Sequence, residues 1–262
     1  MTPPIETKPQ SYRFGVLEIV LSTMAVLALF AVLFFALSTA LTFVIALAIG
    51  ADSIQASLQP LLDEATRAAY LRSDPVGQAF AYLISFGGFV SIVGAVWIIS
   101  SLPKRMPFYQ RIAFLDWSQS RDFWALQLFS TLIYPLLAGF ILRSVFGVTS
   151  VERIGLPSSP VLLFLAFLVI VVIGPLGEEI FFRGWLYTLL RSRFSFITVW
   201  LFTSALFSVA HFDGTGVAAV FLFPISLVLG YVRERYGSIK ASALFHCIYN
   251  LYVFAVTLIV SN

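Results

Sequence analysis

Two adjacent carboxylates and an arginine interrupt a long apolar segment in the second half of the chain. Glu178 and Glu179 are followed by Arg183 among otherwise hydrophobic residues. In a helix Glu179 and Arg183 lie one turn apart on one face, where they can pair, whereas Glu178 points about 100° away. Ionisable groups are costly inside a membrane, so each needs an explanation. Two neighbouring carboxylates in different environments can separate a structural ion from a reactive group.

The two histidines of the chain lie in two further short motifs. His211 ends an apolar segment, and His246 lies four residues before Asn250, so that an imidazole and an amide share one side of a helix. Glu178 lies 16 residues before a turn near Phe194, and His211 lies 17 residues after it. Two antiparallel helices would therefore bring Glu178 and His211 to nearly the same depth. His246 is only about nine residues beyond its own preceding turn, so it reaches that depth only if its helix tilts or the turn lies inside the membrane.

These side chains are suited to the activation of a water molecule. Glu178, assisted by His211, can take a proton from water. His246 and Asn250 can donate hydrogen bonds to a developing oxyanion. This chemistry hydrolyses a peptide bond without a covalent intermediate. The predicted ion pair next to Glu178 can fix the register of the helix, support the site, or do both.

Two other mechanisms are less favoured. A serine nucleophile needs a positioned serine beside a histidine, and Ser208 lies one turn before His211, but no strained elbow surrounds it. A zinc motif of the His-Glu-x-x-His type is absent, and the two histidines and one carboxylate that could hold a metal lie on three separate helices. Cys247 is the only cysteine, which excludes a cysteine-based metal cluster within one chain. We expect no cofactor and no metal site, with a divalent metal as the alternative.

The elements that position these groups must be membrane helices. The chain of 262 residues is 60% hydrophobic and 11% charged, with a mean hydropathy of +0.95, whereas soluble domains carry about 25% charged residues. In lipid every backbone amide must be paired within its own segment, so only helices or a closed barrel can span. The length of the apolar runs favours helices, and we expect an all-α polytopic membrane protein.

The thickness of a bilayer core, about 20 helical residues, divides the chain into about seven spans. The fourth span contains Gly174-Pro175, where we expect a break in the helix. Between the first two spans, the polar segment 51–76 should form a loop with an amphipathic helix around residues 58–71. The predicted spans are residues 15–48, 77–101, 122–146, 159–192, 195–212, 216–233 and 239–260.

The distribution of lysine and arginine predicts the orientation. Most of these residues fall on one side of the spans, which places the N-terminus in the cytoplasm and the C-terminus outside. The net charge of +3 is spread over short linkers, so we expect a lipid bilayer as partner and no nucleic acid. The N-terminus lacks the pattern of a removable signal peptide, and we expect a multi-pass protein of the cell membrane. The residues that agree are Lys8, Arg13, Lys104, Arg105, Arg111, Arg121, Arg191, Arg193, Arg233, Arg235 and Lys240, and those that disagree are Arg67, Arg72, Arg143 and Arg153.

Taken together, the three motifs resemble the signature of the CAAX-protease and bacteriocin-processing-enzyme (CPBP) family, also called the abortive-infection family. These proteins are intramembrane endopeptidases. Their signature is Glu-Glu-x-x-x-Arg, then Phe-x-x-x-His, then His-x-x-x-Asn, and the resemblance covers about residues 159–255. All three parts are matched, by Glu178-Glu179-Ile180-Phe181-Phe182-Arg183, by Phe207-Ser208-Val209-Ala210-His211 and by His246-Cys247-Ile248-Tyr249-Asn250.

The resemblance implies a four-helix catalytic core, which we place at residues 159–262, after an N-terminal region of three spans at 1–158. It also implies a CAAX prenyl protease-like hydrolase that cleaves a peptide or protein at the membrane. The prenyl-protein processing branch of the family resembles a glutamate-dependent, metal-free enzyme. The first three spans do not indicate the substrate, and nothing indicates the oligomeric state. The implied roles are water activation for Glu178, water binding for His211, an oxyanion pocket for His246 and Asn250, and support for Glu179 and Arg183.

Two functions of other classes stay open. A proton-coupled transporter could use the buried glutamates and histidines as a relay, but it would be expected to have paired broken helices in two halves of the chain. Only the fourth predicted span contains an interruption. A non-catalytic membrane scaffold is the other alternative, and the complete set of candidate catalytic residues argues against it.

Overall fold

The computed structural model describes residues 14–49, 59–60, 63–101, 112–147, 156–212 and 215–261. Within these ranges all regular structure is helical, which confirms the all-α prediction. Helix α4 joins three consecutive segments, Arg121–Leu128, Phe129–Ile133 and Tyr134–Phe146. The other helices are α1 (Val16–Ile49), α2 (Glu64–Ser73), α3 (Pro75–Ser101), α5 (Pro160–Arg191), α6 (Phe196–Ala210), α7 (Val217–Tyr236) and α8 (Ile239–Ser261).

Six of these helices are long and apolar enough to cross a membrane, namely all except α2 and α6. The protein is therefore a polytopic, multi-pass membrane protein. Large apolar side chains such as Leu17 (70% exposed) and Phe35 (74% exposed) on α1 point away from the other helices, as lipid-facing residues do. Helix α6 has 15 residues, so it is about 22 Å long against a hydrocarbon core of about 30 Å. The count of seven spans stays a prediction because α6 is short.

The predicted break at Gly174-Pro175 is wrong, because α5 runs through it as one helix of 32 residues. Instead, the helix contains two π-helical turns, at Leu168–Ile173 and at Ile180–Leu186. The first wide turn ends immediately before Gly174. A wider turn places the proline ring away from the carbonyl group that it would meet in a regular α-helix. Pro175 is therefore accommodated by a change of helix type and not by a gap.

Helix α5 lies at the centre of the helix packing. It contacts α3, α6 and α8, while α7 packs between α6 and α8, and α1 lies along α3. Close approach of α3 to α5 depends on the absence of a side chain at Gly177, where a Cβ atom would lie 3.0 Å from Cδ1 of Phe89. The segment of α5 that carries both candidate carboxylates is thus packed against both α3 and α8.

The polar segment before α3 contains the predicted helix in part. The amphipathic helix expected around residues 58–71 is observed as α2 (Glu64–Ser73), whereas residues 51–58 and 61–62 of the predicted loop 51–76 lie outside the described residues. Asp74 separates α2 from α3, and its Oδ1 accepts hydrogen bonds from the backbone N–H groups of Val76 (2.8 Å) and Gly77 (3.2 Å). Because the residue before a proline disfavours the α conformation, α2 ends here.

Candidate active site

Glu178 and Glu179 lie in the short α-helical segment Gly174–Glu179, between the two π-helical turns of α5. Their environments differ as the sequence predicts. The side chain of Glu179 is fully buried, whereas that of Glu178 is 18% exposed. The two carboxylates point in different directions because consecutive helical residues are rotated by about 100°. One carboxylate is therefore enclosed by protein, and the other is accessible from outside the protein.

Arg183 neutralises Glu179. Its Nη1 atom lies 3.0 Å from Oε1 of Glu179, and both side chains are completely buried. Nη2 of Arg183 donates to the hydroxyl oxygen (2.7 Å) and to the backbone carbonyl oxygen (3.2 Å) of Ser226 on α7. The guanidinium carbon also lies 4.4 Å from the centre of the Phe207 ring on α6, a favourable cation–π contact. The predicted i, i+4 pair is thus observed, and it connects α5 to α6 and α7.

Both histidines face Glu178. Nε2 of His211 lies 3.6 Å from Oε1 of Glu178, and Nε2 of His246 lies 3.8 Å from its Oε2. On its other side, Nδ1 of His246 lies 3.3 Å from Oε1 of Glu179. His246 is therefore placed between the two carboxylates. The predicted equal depth of Glu178 and His211 is confirmed by their contact.

His246 reaches this depth because the turn before α8 is buried in the protein. Ser238 is 0% exposed and Ile239 is 1% exposed. The Ser238 hydroxyl donates to the carbonyl oxygen of Leu115, and the Ile239 N–H donates to that of Ala113 at 2.9 Å. Residues 112–120 therefore cover the turn, and α8 begins further inside the molecule than α6 does. At the border of this cover, the nearby Lys240 ammonium lowers the pKa of the exposed Asp116 carboxyl by hydrogen bonding and charge attraction.

The hydrogen bonding of His211 indicates its tautomer. Nδ1 of the ring lies 2.8 Å from the backbone carbonyl oxygen of Phe207. A carbonyl oxygen can only accept, so Nδ1 carries the hydrogen, and a neutral ring presents the lone pair of Nε2 to Glu178. Phe207 also packs its ring against both histidines, with centroid distances of 4.5 Å to His211 and 5.8 Å to His246.

Asn250 is the one predicted site residue that is directed elsewhere. Its Nδ2 donates to the backbone carbonyl oxygen of Ile170 at 2.8 Å. That carbonyl has no backbone donor, for two reasons. In the π-helical turn the Gly174 N–H donates to the carbonyl oxygen of Val169 and not to that of Ile170. The next residue, Pro175, has no N–H to donate. The described contacts join the other five predicted residues directly, whereas Asn250 lies one helical turn further along α8.

Sequence reasoning gave no role to Ser226 and did not predict the contacts of Phe207. Ser226 binds Arg183 from α7, but a single serine in an apolar span carries no signal of that role. Phe207 was recognised as part of a motif, while its contacts with Arg183 and both imidazoles could not be read from spacing. In the part of the chain that the structure describes, no group of three or more His, Cys, Asp or Glu side chains is arranged to hold a metal ion.

The comparison with known families matches the part of the chain that carries this site. Residues 160–252 match the family model described as "Type II CAAX prenyl endopeptidase Rce1-like", which belongs to the CPBP family. No curated protein and no solved structure gives a significant match. The matched residues contain all three motifs and every side chain of the network described above. Residues 160–252 thus form an Rce1-like CAAX prenyl endopeptidase domain, and enzymes of that family are hydrolases.

Proposed function

We propose that this protein is an intramembrane endopeptidase in which Glu178 activates a water molecule for attack on a peptide bond. The substrate is a protein or peptide at the membrane. The observation that carries the proposal is the contact of Glu178 with two imidazoles, at 3.6 Å and 3.8 Å, beside a second carboxylate that is already neutralised by Arg183. Glu178 is therefore the carboxylate that is free to exchange a proton.

The facing atoms of Glu178 and His211 favour a bound water. When the His211 ring is neutral and its Nδ1–H is donated to the Phe207 carbonyl, Nε2 and the carboxylate oxygen are both acceptors. Two acceptors that face one another are bridged by a molecule that donates two hydrogen bonds, as water does. Glu178 takes a proton from this water while the water oxygen attacks the peptide carbonyl carbon. Glu178 later gives that proton to the leaving amine.

His246 is suited to stabilise the resulting oxyanion. Its Nε2 lies 3.8 Å from Glu178 and its Nδ1 lies 3.3 Å from Glu179, so the imidazole is held directly beside the reacting carboxylate. We assign Asn250 to the same pocket because its amide keeps a second hydrogen after donating to Ile170. Donors directed at developing charge in a dry site typically provide the largest part of such catalysis.

The test is cleavage of a peptide by purified protein in liposomes. Glu178→Gln and His211→Ala each remove one partner of the water, and each should lower kcat by about 10²-fold or more. Glu18→Gln, which changes an exposed carboxylate at the start of α1, is the matched control and should keep wild-type activity. Full cleavage by Glu178→Gln would contradict the proposal.

Two further measurements in the same cleavage assay test the mechanism and the substrate. A chelator should leave cleavage unchanged, and loss of cleavage that is restored by added divalent metal would instead assign a metal to Glu178 and the two histidines. The same peptide is offered with and without a prenyl group on its cysteine, since the name of the matched family indicates a CAAX prenyl substrate. A higher kcat/KM for the prenylated form would extend that specificity to this protein.

A further inference from the structure

Arg233 on α7 is a buried arginine that belongs to none of the three motifs. It is 8% exposed. Its Nε donates to the backbone carbonyl oxygen of Arg183 at 3.0 Å, and its Nη2 donates to the hydroxyl of Thr188 at 3.1 Å. Among the ion pairs of the described residues none includes Arg233, and its neighbour Glu234 bonds to Arg191 instead. Arg233 therefore directs its hydrogen bonds to α5.

The carbonyl that Arg233 binds lies within the second π-helical turn of α5. In a regular α-helix the N–H of Tyr187 would donate to the carbonyl of Arg183. Here that N–H donates to the carbonyl of Phe182, five residues back. Arg233 thus supplies a donor to a carbonyl that has lost its α-helical partner. A buried carbonyl without a donor is costly, so this contact stabilises the wide turn against a regular one.

The first wide turn of α5 is held in the same way. There the freed carbonyl belongs to Ile170 and its donor is Asn250 on α8. The segment Gly174–Glu179, which carries both carboxylates, therefore lies between two π-helical turns, each bonded by a side chain from a neighbouring helix. Asn250 is a motif residue, and Arg233 performs the equivalent contact at the opposite end.

We propose that Arg233 is a positioning residue of the active site, which keeps the turn Ile180–Leu186 open and so sets the rotation of the carboxylate segment. This proposal rests on the function proposed above. A π-helical turn holds one more residue than an α-helical turn, so closing it rotates the preceding segment by about 100° and shifts it by about 1.5 Å. Glu178 would then no longer face His211 and His246.

The experiment compares Arg233→Leu with Arg233→Lys and with Arg235→Leu, a control two residues away on the same helix whose side chain is exposed. Peptide cleavage gives kcat and KM, and hydrogen–deuterium exchange measures the backbone over residues 180–187. Arg233→Leu should lower kcat by about 10- to 100-fold with little change in KM, because misplacing a reacting group by about 1 Å has effects of this size. Exchange over residues 180–187 should rise. Arg233→Lys keeps one donor and should restore part of kcat, while Arg235→Leu should match the wild type.

Wild-type kcat and exchange in Arg233→Leu would overturn the proposal. So would a loss of kcat with equally raised exchange in every helix, since that pattern assigns Arg233 to general stability. Glu178→Gln is measured in parallel. If it cleaves normally, the proposed function fails instead, and exchange over residues 180–187 still decides whether Arg233 holds the turn.

Discussion

Glu178 and Glu179 are neighbours in sequence, but their chemical roles are separated by their surroundings. Glu179 is fully buried and bonded to Arg183 and His246. Glu178 is partly exposed and faces two imidazoles without an arginine at bonding distance in the described structure. Because a buried, paired carboxylate is costly to protonate, Glu179 is suited to fixing geometry. The reactive role then falls to Glu178.

The buried pair should be essential for stability as well as for activity. Arg183→Met leaves Glu179 charged and without its main partner, which typically costs about 3–5 kcal/mol. The double variant Glu179→Leu/Arg183→Met removes both charges and should recover part of that loss. Unfolding by heat or denaturant in detergent measures the change, with Arg143→Met, an exposed arginine on α4, as the control. A single variant Arg183→Met as stable as the wild type would show that the pair does not hold the helices.

The two π-helical turns give α5 its functional shape. Each wide turn frees a backbone carbonyl, and each freed carbonyl receives a donor from another helix, Asn250 for Ile170 and Arg233 for Arg183. The helix α4 has the same combination of a π-helical turn, Phe129–Ile133, followed by a proline at residue 135. Pro135 and Pro175 thus each follow a wide turn without a break, as satisfaction of the freed groups by neighbouring helices allows, whereas Pro224 lies inside α7, which contains no wide turn.

Asn250 should therefore contribute to stability in addition to its proposed role toward the oxyanion. Asn250→Leu leaves the carbonyl of Ile170 without a donor and should cost about 1–3 kcal/mol. Pro175→Ala restores an N–H five residues after Ile170, so the double variant should regain part of this loss, and unfolding free energies in a double-mutant cycle measure the coupling. If Asn250→Leu loses cleavage with no loss of stability, its contact with Ile170 is unimportant and the catalytic role stands alone.

The charged ends of the helices are the basis of the predicted orientation in the membrane. Arg191, Arg193, Arg233, Arg235 and Lys240 lie at the α5–α6 and α7–α8 turns, at the same end of the helix bundle. Basic residues prefer the cytoplasmic side. Six further basic residues that bear on the predicted orientation lie outside the described residues, namely Lys8, Arg13, Lys104, Arg105, Arg111 and Arg153.

This orientation can be tested by labelling single cysteines. The native Cys247 is replaced by alanine, which leaves a chain without cysteine. Ala69→Cys on α2 should react with a membrane-impermeant thiol reagent in intact cells, whereas Phe194→Cys at the α5–α6 turn should react only after the membrane is opened. Both positions are exposed. The reverse labelling pattern would place the N-terminus outside the cell. The α5–α6 and α7–α8 turns would then also lie outside and not in the cytoplasm.

Composition and motif spacing alone were sufficient to predict membrane helices, six of which are long enough to span, and the family to which residues 160–252 are matched. They also brought Glu178 and His211 to one depth, because both lie at similar distances from one tight turn and helices have a constant rise. Hydrophobicity and helical period are local properties, so the order of residues contains them.

The folded chain was required for everything that depends on how the helices are placed relative to one another. Two π-helical turns are found where a break in α5 was predicted. The buried turn at Ser238 brings His246 to the depth of Glu178, and the Asn250 amide donates to the carbonyl oxygen of Ile170. The contacts of Ser226 and Arg233 with Arg183 likewise join residues 43 and 50 positions apart. Such partners depend on the depth and rotation of whole helices, which are set by packing across the bundle and not by spacing along the chain.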